Sequence, residues 1–142
     1  MTDKIIYTLG TDLRKEEDFI EILLAYGIRA FIDVRSFPRS RLPLFNRQSL
    51  EKLLPQSGVG YYFLGRELGG LKKGGYTAYL VTEDFQRGVD MLEAIAAEKT
   101  SVIVCAERFP WKCHRKWISR ELHKRGWLVE HIIDKGKLWI PK

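Results

Sequence analysis

The chain has 142 residues, 45% hydrophobic and 12% aromatic, which suffices for one domain with a real core and is too short for two. No stretch approaches the roughly 18–20 consecutive apolar residues of a membrane span, MTDKIIYTLG lacks a signal-peptide layout, and two cysteines cannot build a disulfide framework. These features predict a single soluble cytoplasmic domain over 1–142 with no membrane partner. The net charge of +6 is concentrated, since residues 35–47 carry +4 and residues 108–125 carry +6, and such local fields suit an anionic ligand at a site.

In chain order, KIIYTL predicts a first strand, broken by GTD (10–12). From Arg14 to Tyr26, Phe19, Ile22, Leu23 and Tyr26 recur at helical spacing, with Asp12 as the expected N-cap and Gly27 as the stop. IRAFIDV is a second strand, followed by an arginine-rich loop. Asn46 is expected to cap a short helix facing inward through Leu50, Leu53 and Leu54, and VGYYFL is a third strand. Residues 64–82 contain five glycines and read as a mobile lid bearing Arg66 and Glu67. Thr82 opens a helix whose buried stripe is Phe85, Val89, Leu92 and Ala96. SVIVC is a fourth strand, 111–125 a helix buried through Trp111, Ile118 and Leu122, and WLVEHII a fifth strand.

This alternation predicts an α/β fold: a small, open, mostly parallel five-stranded sheet, Rossmann-like, with helices on both faces and right-handed crossovers. The expected strand order is 3-2-1-4-5. Ligands of such sheets bind beyond the carboxyl ends of the strands, where the order reverses. That edge gathers the loops 10–12, 33–41 and 105–115.

The helix expected after Cys105 would carry Cys113, His114 and Arg115 in its first turn, where backbone N–H groups and the helix dipole favour an anion. Arg35 and Arg115 are the expected anion ligands, with Arg39 and Arg41 reaching the same ligand or a polyanion outside it. Asp33 is expected to salt-bridge an arginine, with a ribose hydroxyl as its alternative partner. In this reading the pocket binds a phosphate-bearing small molecule or nucleic acid and could hydrolyse it, with His114 donating a hydrogen bond or proton and Glu107 as acid or base. Two other readings stand beside it. Cys113, among cations, could be a nucleophilic thiolate with Cys105 resolving or packing, although neither cysteine is followed six positions later by the arginine of a phosphatase cradle. Alternatively, Arg39, Arg41 and the exposed basic helix face, with aromatic rings for stacking, could form a non-enzymatic nucleic-acid module. Two cysteines eight apart and three histidines do not make a zinc site, and no metal or cofactor is expected.

The ordered motifs YTLGTD, IDVRSFPRSR, FNRQSLEKLL, YYFLGRELGG, VCAERFPWKCHR and VEHI resemble the domain-of-unknown-function 488 family over essentially the whole length. The resemblance implies a compact α/β fold and no particular reaction. It implies importance for Gly10, Asp33, Arg35, Pro38, Arg39, Arg41, Glu67, Gly69, Gly70, Cys105, Glu107, Cys113, His114 and Arg115. Family members typically carry Gly-His-Ser after the first strand, whereas this chain has Gly10-Thr11-Asp12. Any catalytic base at that histidine would have to be replaced by Asp12 or Glu107.

Overall fold

A computed structural model describes residues 4–38, 40 and 42–140. Arg39 and Arg41 lie outside the described residues. Six strands form one sheet: β1 (Ile5–Gly10), β2 (Ala30–Asp33), β3 (Gly60–Phe63), β4 (Ser101–Cys105), β5 (Leu128–Asp134) and β6 (Lys137–Trp139). The helices are α1 (Glu16–Ala25), α2 (Arg47–Leu53), α3 (Gly65–Leu68), α4 (Tyr76–Tyr79), α5 (Glu83–Glu98) and α6 (Arg115–Lys124). The first five strands are parallel, and β6 pairs antiparallel to β5 as an added edge. The α/β class and mostly parallel sheet agree with the sequence, while β6 is a sixth strand that the sequence reading omitted. All three of its residues are exposed, so it shows no apolar alternation to read.

The strand order is β3-β2-β4-β1-β5-β6, which corrects the expected 3-2-1-4-5 by inserting β4 between β2 and β1. Every residue of β4 is buried, as is every residue of β2, whereas Ile5 and Tyr7 of β1 are partly exposed. A parallel strand covered by helices on both faces can be apolar throughout, and SVIVC meets that demand. Which apolar run lies between which neighbours is a question of long-range burial, invisible to local periodicity.

Alternating side chains of the strands feed two cores. On one face, Leu9, Phe31, Val102 and Val104 pack against Phe19 and Ile22 of α1 and Leu50 of α2. The ring of Phe19 meets Phe31 and Phe45 edge-on, with centroids 5.9 and 5.0 Å apart. On the other, Ile6, Ile32 and Ile103 pack against Phe85, Val89 and Leu92 of α5 and Ile118 and Leu122 of α6. Arg125 ties α6 to α5, donating to Asp90 at 2.7 Å, Glu93 at 2.6 Å and Glu121 at 3.0 Å.

Several local expectations change. Lys15, not Asp12, holds the N-cap position of α1, because Asp12 adopts a left-handed φ of 47° and pairs with Arg108 instead. Asn46 occupies the N-cap position of α2, but its Oδ1 accepts from the Ser40 N–H. Thr82 does cap α5, its Oγ1 accepting from Phe85 N–H at 3.2 Å. The expected helix over 111–125 starts only at Arg115: Pro110 begins a short 3-10 turn, and Cys113 is extended with φ −143° and ψ 173°. Trp111, expected in the buried stripe, therefore precedes the helix and is 46% exposed.

Candidate functional site

The strand register sets the geometry. Gly10 pairs with Cys105, and Asp33 with Val104, so β1, β2 and β4 end at one level and their outgoing loops meet. Thr11 N–H donates to the Cys105 carbonyl and Asp12 N–H to that of Ala106, at 2.8 and 2.9 Å. Gly10 is required at this crossing, because a Cβ there would stand 1.9 Å from the Glu107 carbonyl oxygen. Beside this clip opens a cavity of about 420 Å³. Arg35, Gly70, Cys105, Glu107, Cys113 and His114 all line it, although they come from three separate segments of the chain.

Its chemical centre is the cysteine pair. The Sγ atoms of Cys105 and Cys113 lie 2.9 Å apart, against about 2.05 Å in a formed disulfide, and both cysteines are free. Cys105 is buried at the end of β4, and burial followed by its hydrogen bond to Cys113 pushes its ionisation well up. Cys105 therefore donates and Cys113 accepts. Cys113 is pulled down to about 5, first by that hydrogen bond and then, against the opposing effect of burial, by Arg115. The Arg115 backbone N–H and Nε–H reach its Sγ at 3.4 and 3.2 Å. One sulfur is a thiolate near neutral pH and its neighbour is a thiol.

Arg115 has a different role from the one expected. It has no exposure, and both remaining nitrogens of its fork are engaged: Nη1 donates to Thr8 Oγ1 at 2.8 Å and Nη2 to the carbonyls of Glu107 and Arg108 at 2.6 and 3.2 Å. It cannot hold an external anion. With the helix starting at residue 115, the side chain folds back under the β4–α6 loop, and the anion it serves is Cys113. Thr8, a buried hydroxyl in an apolar strand, accepts from Arg115 and is hydrogen-bonded to Nδ1 of His131 at 2.6 Å. Burial, then the charge of Arg115, lowers His131 to about 4 and keeps it neutral. The sequence reading gave Thr8 no role and weighed His131 only as a zinc ligand before setting it aside; the single hint was a polar residue at an inward position of each strand.

Arg35 does line the cavity. Its Nε and Nη2 grip Asp33 at 2.9 and 2.8 Å, and Tyr61 O–H donates to the same carboxylate at 2.6 Å. Asp33 is thus a salt-bridge partner and carries no free acceptor face. The third guanidinium nitrogen of Arg35, Nη1, is buried with no hydrogen-bond partner among the described residues.

His114 stands across the cavity. Its Nε2 donates to the Val34 carbonyl at 2.7 Å, so the unprotonated nitrogen is Nδ1, and burial lowers its basicity. With its donor committed to the Val34 carbonyl, His114 is an acceptor toward the cavity, whereas it was expected to donate a hydrogen bond or proton to the ligand. Gly70 lets the chain pass that nitrogen, since a Cβ there would be 2.9 Å away. Glu107 is exposed, and the hydrogen bonds it makes come to its main-chain carbonyl. Asp12 is bound to Arg108 and does not line the cavity.

The 64–82 segment, expected as a mobile lid, is pinned down. Tyr76 and Tyr79 hydroxyls donate to the carbonyls of Leu68 and Glu67 at 2.9 and 2.6 Å, and Leu71 N–H donates to Ser36 Oγ at 3.0 Å. It covers the site through Gly70 and Leu71, whereas Glu67 turns its Cβ toward Gly88 of α5 and stays out of the cavity. Among the described residues no group of three or more His, Cys, Asp or Glu could hold a metal, and no helix is long and apolar enough to cross a membrane.

A family model described as "Domain of unknown function DUF488" matches residues 15–75 and 72–122. No curated protein and no solved structure matches the chain.

Proposed function

Because the chain belongs to the domain of unknown function DUF488 family, whose description names no reaction, we propose its activity from the site's own chemistry: thiol–disulfide exchange on a disulfide that bears an anionic group. The observation that carries this reading is the 2.9 Å pairing of a thiolate, Cys113, with a thiol, Cys105, inside a cavity.

Cys113 attacks one sulfur of the substrate disulfide, forming a mixed disulfide and expelling the other half as a thiolate. Cys105 then attacks Cys113 Sγ, closing an internal disulfide and releasing the second half. The Cys105 proton leaves on one released thiol while the other departs as thiolate, so charge and protons balance. The substrate is the oxidant, and a second thiol pair must reduce the enzyme afterwards. Arg35 lines the cavity, and its buried Nη1 has no hydrogen-bond partner among the described residues, which supports an anionic substrate group, phosphate or carboxylate, as the feature recognised. This keeps the phosphate-binding expectation in reduced form, with Arg35 as the guanidinium ligand among the described residues.

The test uses two disulfide probes of similar reactivity, a dicarboxylate bis(nitrophenyl) disulfide and a neutral dipyridyl disulfide. Wild type is expected to form the Cys105–Cys113 bridge, seen by mass spectrometry, and to prefer the carboxylated probe. Arg35→Lys keeps a cation for Asp33 but removes Nη1, and should erase that preference. Absence of the internal bridge after either probe overturns the reading.

A further inference from the structure

Away from the thiol centre, a second cleft of about 510 Å³ runs between α6 and the β5–β6 hairpin. Trp111, Trp139, His131, Ser119, Lys116 and Arg120 are among the residues that line it. We infer that this cleft binds a nucleotide unit, an aromatic base joined to a phosphate.

Three independent features meet there. The first is its aromatic wall. The indoles of Trp111 and Trp139 are 46% and 41% exposed yet meet edge-to-face at 5.2 Å. Phe109 stacks behind Trp111 at 5.0 Å, and His131 lies against Trp139 at 5.4 Å. Both rings are thus braced before any ligand arrives, which lowers the ordering cost of stacking on them. Exposed apolar surface of this kind marks a binding site more often than a packing fault.

The second feature is charge. Lys116, Arg120, His123 and Lys124 line the same cleft, no acidic residue does, and none of the four enters an ion pair among the described residues. Lys116 and Arg120 rest over the ring of Trp117, 5.1 and 4.7 Å from its centroid, and a phosphate in the cleft would compete for them; the four together set basic side chains beside flat rings, the complement of a phosphate beside a base. The third is Ser119, 6% exposed, whose Oγ is buried with no hydrogen-bond partner among the described residues. A buried hydroxyl without a partner costs free energy unless something else bonds to it, and a base edge or ribose hydroxyl entering the cleft would do so. The volume suits one nucleotide rather than a large cofactor.

The cleft and the thiol cavity have no lining residue in common, although His131 at the cleft connects through Thr8 and Arg115 to Cys113. Pro110 and Trp111 face the cleft, while Lys112, Cys113 and His114 face the cavity on the other side of the same loop. A free mononucleotide and the end of a nucleic-acid strand share the recognised chemistry, and the ligands tested separate them.

Adenosine monophosphate, adenosine, ribose 5-phosphate and single-stranded oligonucleotides with and without a 5′-phosphate are titrated at low and physiological salt, following tryptophan fluorescence and calorimetry. The monophosphate is expected to quench saturably and to bind at least tenfold tighter than adenosine or ribose 5-phosphate. Trp139→Ala and Arg120→Ala, both at exposed positions, should each weaken binding about tenfold or more, and Ser119→Ala should weaken it less. Circular dichroism and unchanged alkylation of Cys113 check that the variants are folded. A strand end as the natural ligand would show as 5′-phosphorylated oligonucleotides outcompeting the monophosphate. No saturable binding, equal binding of adenosine and its monophosphate, or full affinity in both Trp139→Ala and Arg120→Ala overturns the inference. A self-associated dimer that hides the tryptophans from every ligand overturns it as well.

Discussion

Nε of Arg115 donates to Sγ of Cys113 at 3.2 Å from a side chain with no solvent exposure. A permanent cation is thereby buried against a group that can become its counter-ion only by losing a proton. The arrangement resembles a salt bridge whose acid is a thiol, and it makes the reactivity of one residue depend on the exact seating of the other.

Replacing that arginine tests the dependence. Arg115→Lys keeps a charge but cannot span Cys113, Thr8 and the carbonyls of Glu107 and Arg108 together. The pH at which Cys113 alkylates half-maximally is expected to rise from about 5 by at least one unit. Stability should fall by about 2–4 kcal/mol, since buried partners lose their donors. Alkylation rates measured across pH 4–9, with urea unfolding alongside, decide both points. An unmoved alkylation midpoint would show that Arg115 supports only the backbone.

The same ionisation should make folding pH-dependent. Cys113 titrates near 5 when folded and near about 8.5 when unfolded, so between those values the unfolded chain holds more protons. Its stabilisation is fully present above the unfolded value and drains as pH falls toward 5. His131, held neutral down to about 4, acts in the same direction between about 6.5 and 4, because the unfolded imidazole protonates first. Stability should therefore climb from pH 4 to about pH 8.5, with a slope of at most about 1.4 kcal/mol per pH unit for each group while it titrates, and turn down above that, where the unfolded chain loses the Cys105 proton that the folded protein keeps. Cys113→Ser should flatten the limb between 5 and about 8.5 and leave the 4–6.5 limb in place. Denaturant midpoints measured across the range provide the check.

Gly10→Ala probes the clip between the β1 and β4 loops. The added methyl would meet the Glu107 carbonyl at 1.9 Å, a main-chain atom that cannot rotate away. That carbonyl also receives the shortest of the Arg115 hydrogen bonds, at 2.6 Å. Loss of about 2–4 kcal/mol is expected, together with slower alkylation of Cys113 at pH 6. Gly136→Ala, in the β5–β6 turn where φ is 73°, should strain its own turn while leaving Cys113 reactivity unchanged.

Periodicity, caps and apolar runs in the sequence determined most of the secondary structure, its α/β class and the edge where the loops after β1, β2 and β4 converge. These are local properties: Phe85, Val89 and Leu92 share a face because of helix geometry, and SVIVC is a strand because of its own composition. The sequence also singled out Arg35, Cys105, Cys113 and His114, all of which line the cavity. Only the tertiary structure decided that β4 sits between β2 and β1, that α6 begins after Cys113, and that Arg35 faces the cavity while Arg115 lies beneath it. A basic residue reads identically in a sequence whether its charge serves a ligand or a neighbouring thiol. The difference lies in which hydrogen bonds burial leaves unfilled, and that depends on contacts between residues far apart in the chain, such as Arg115 with Thr8.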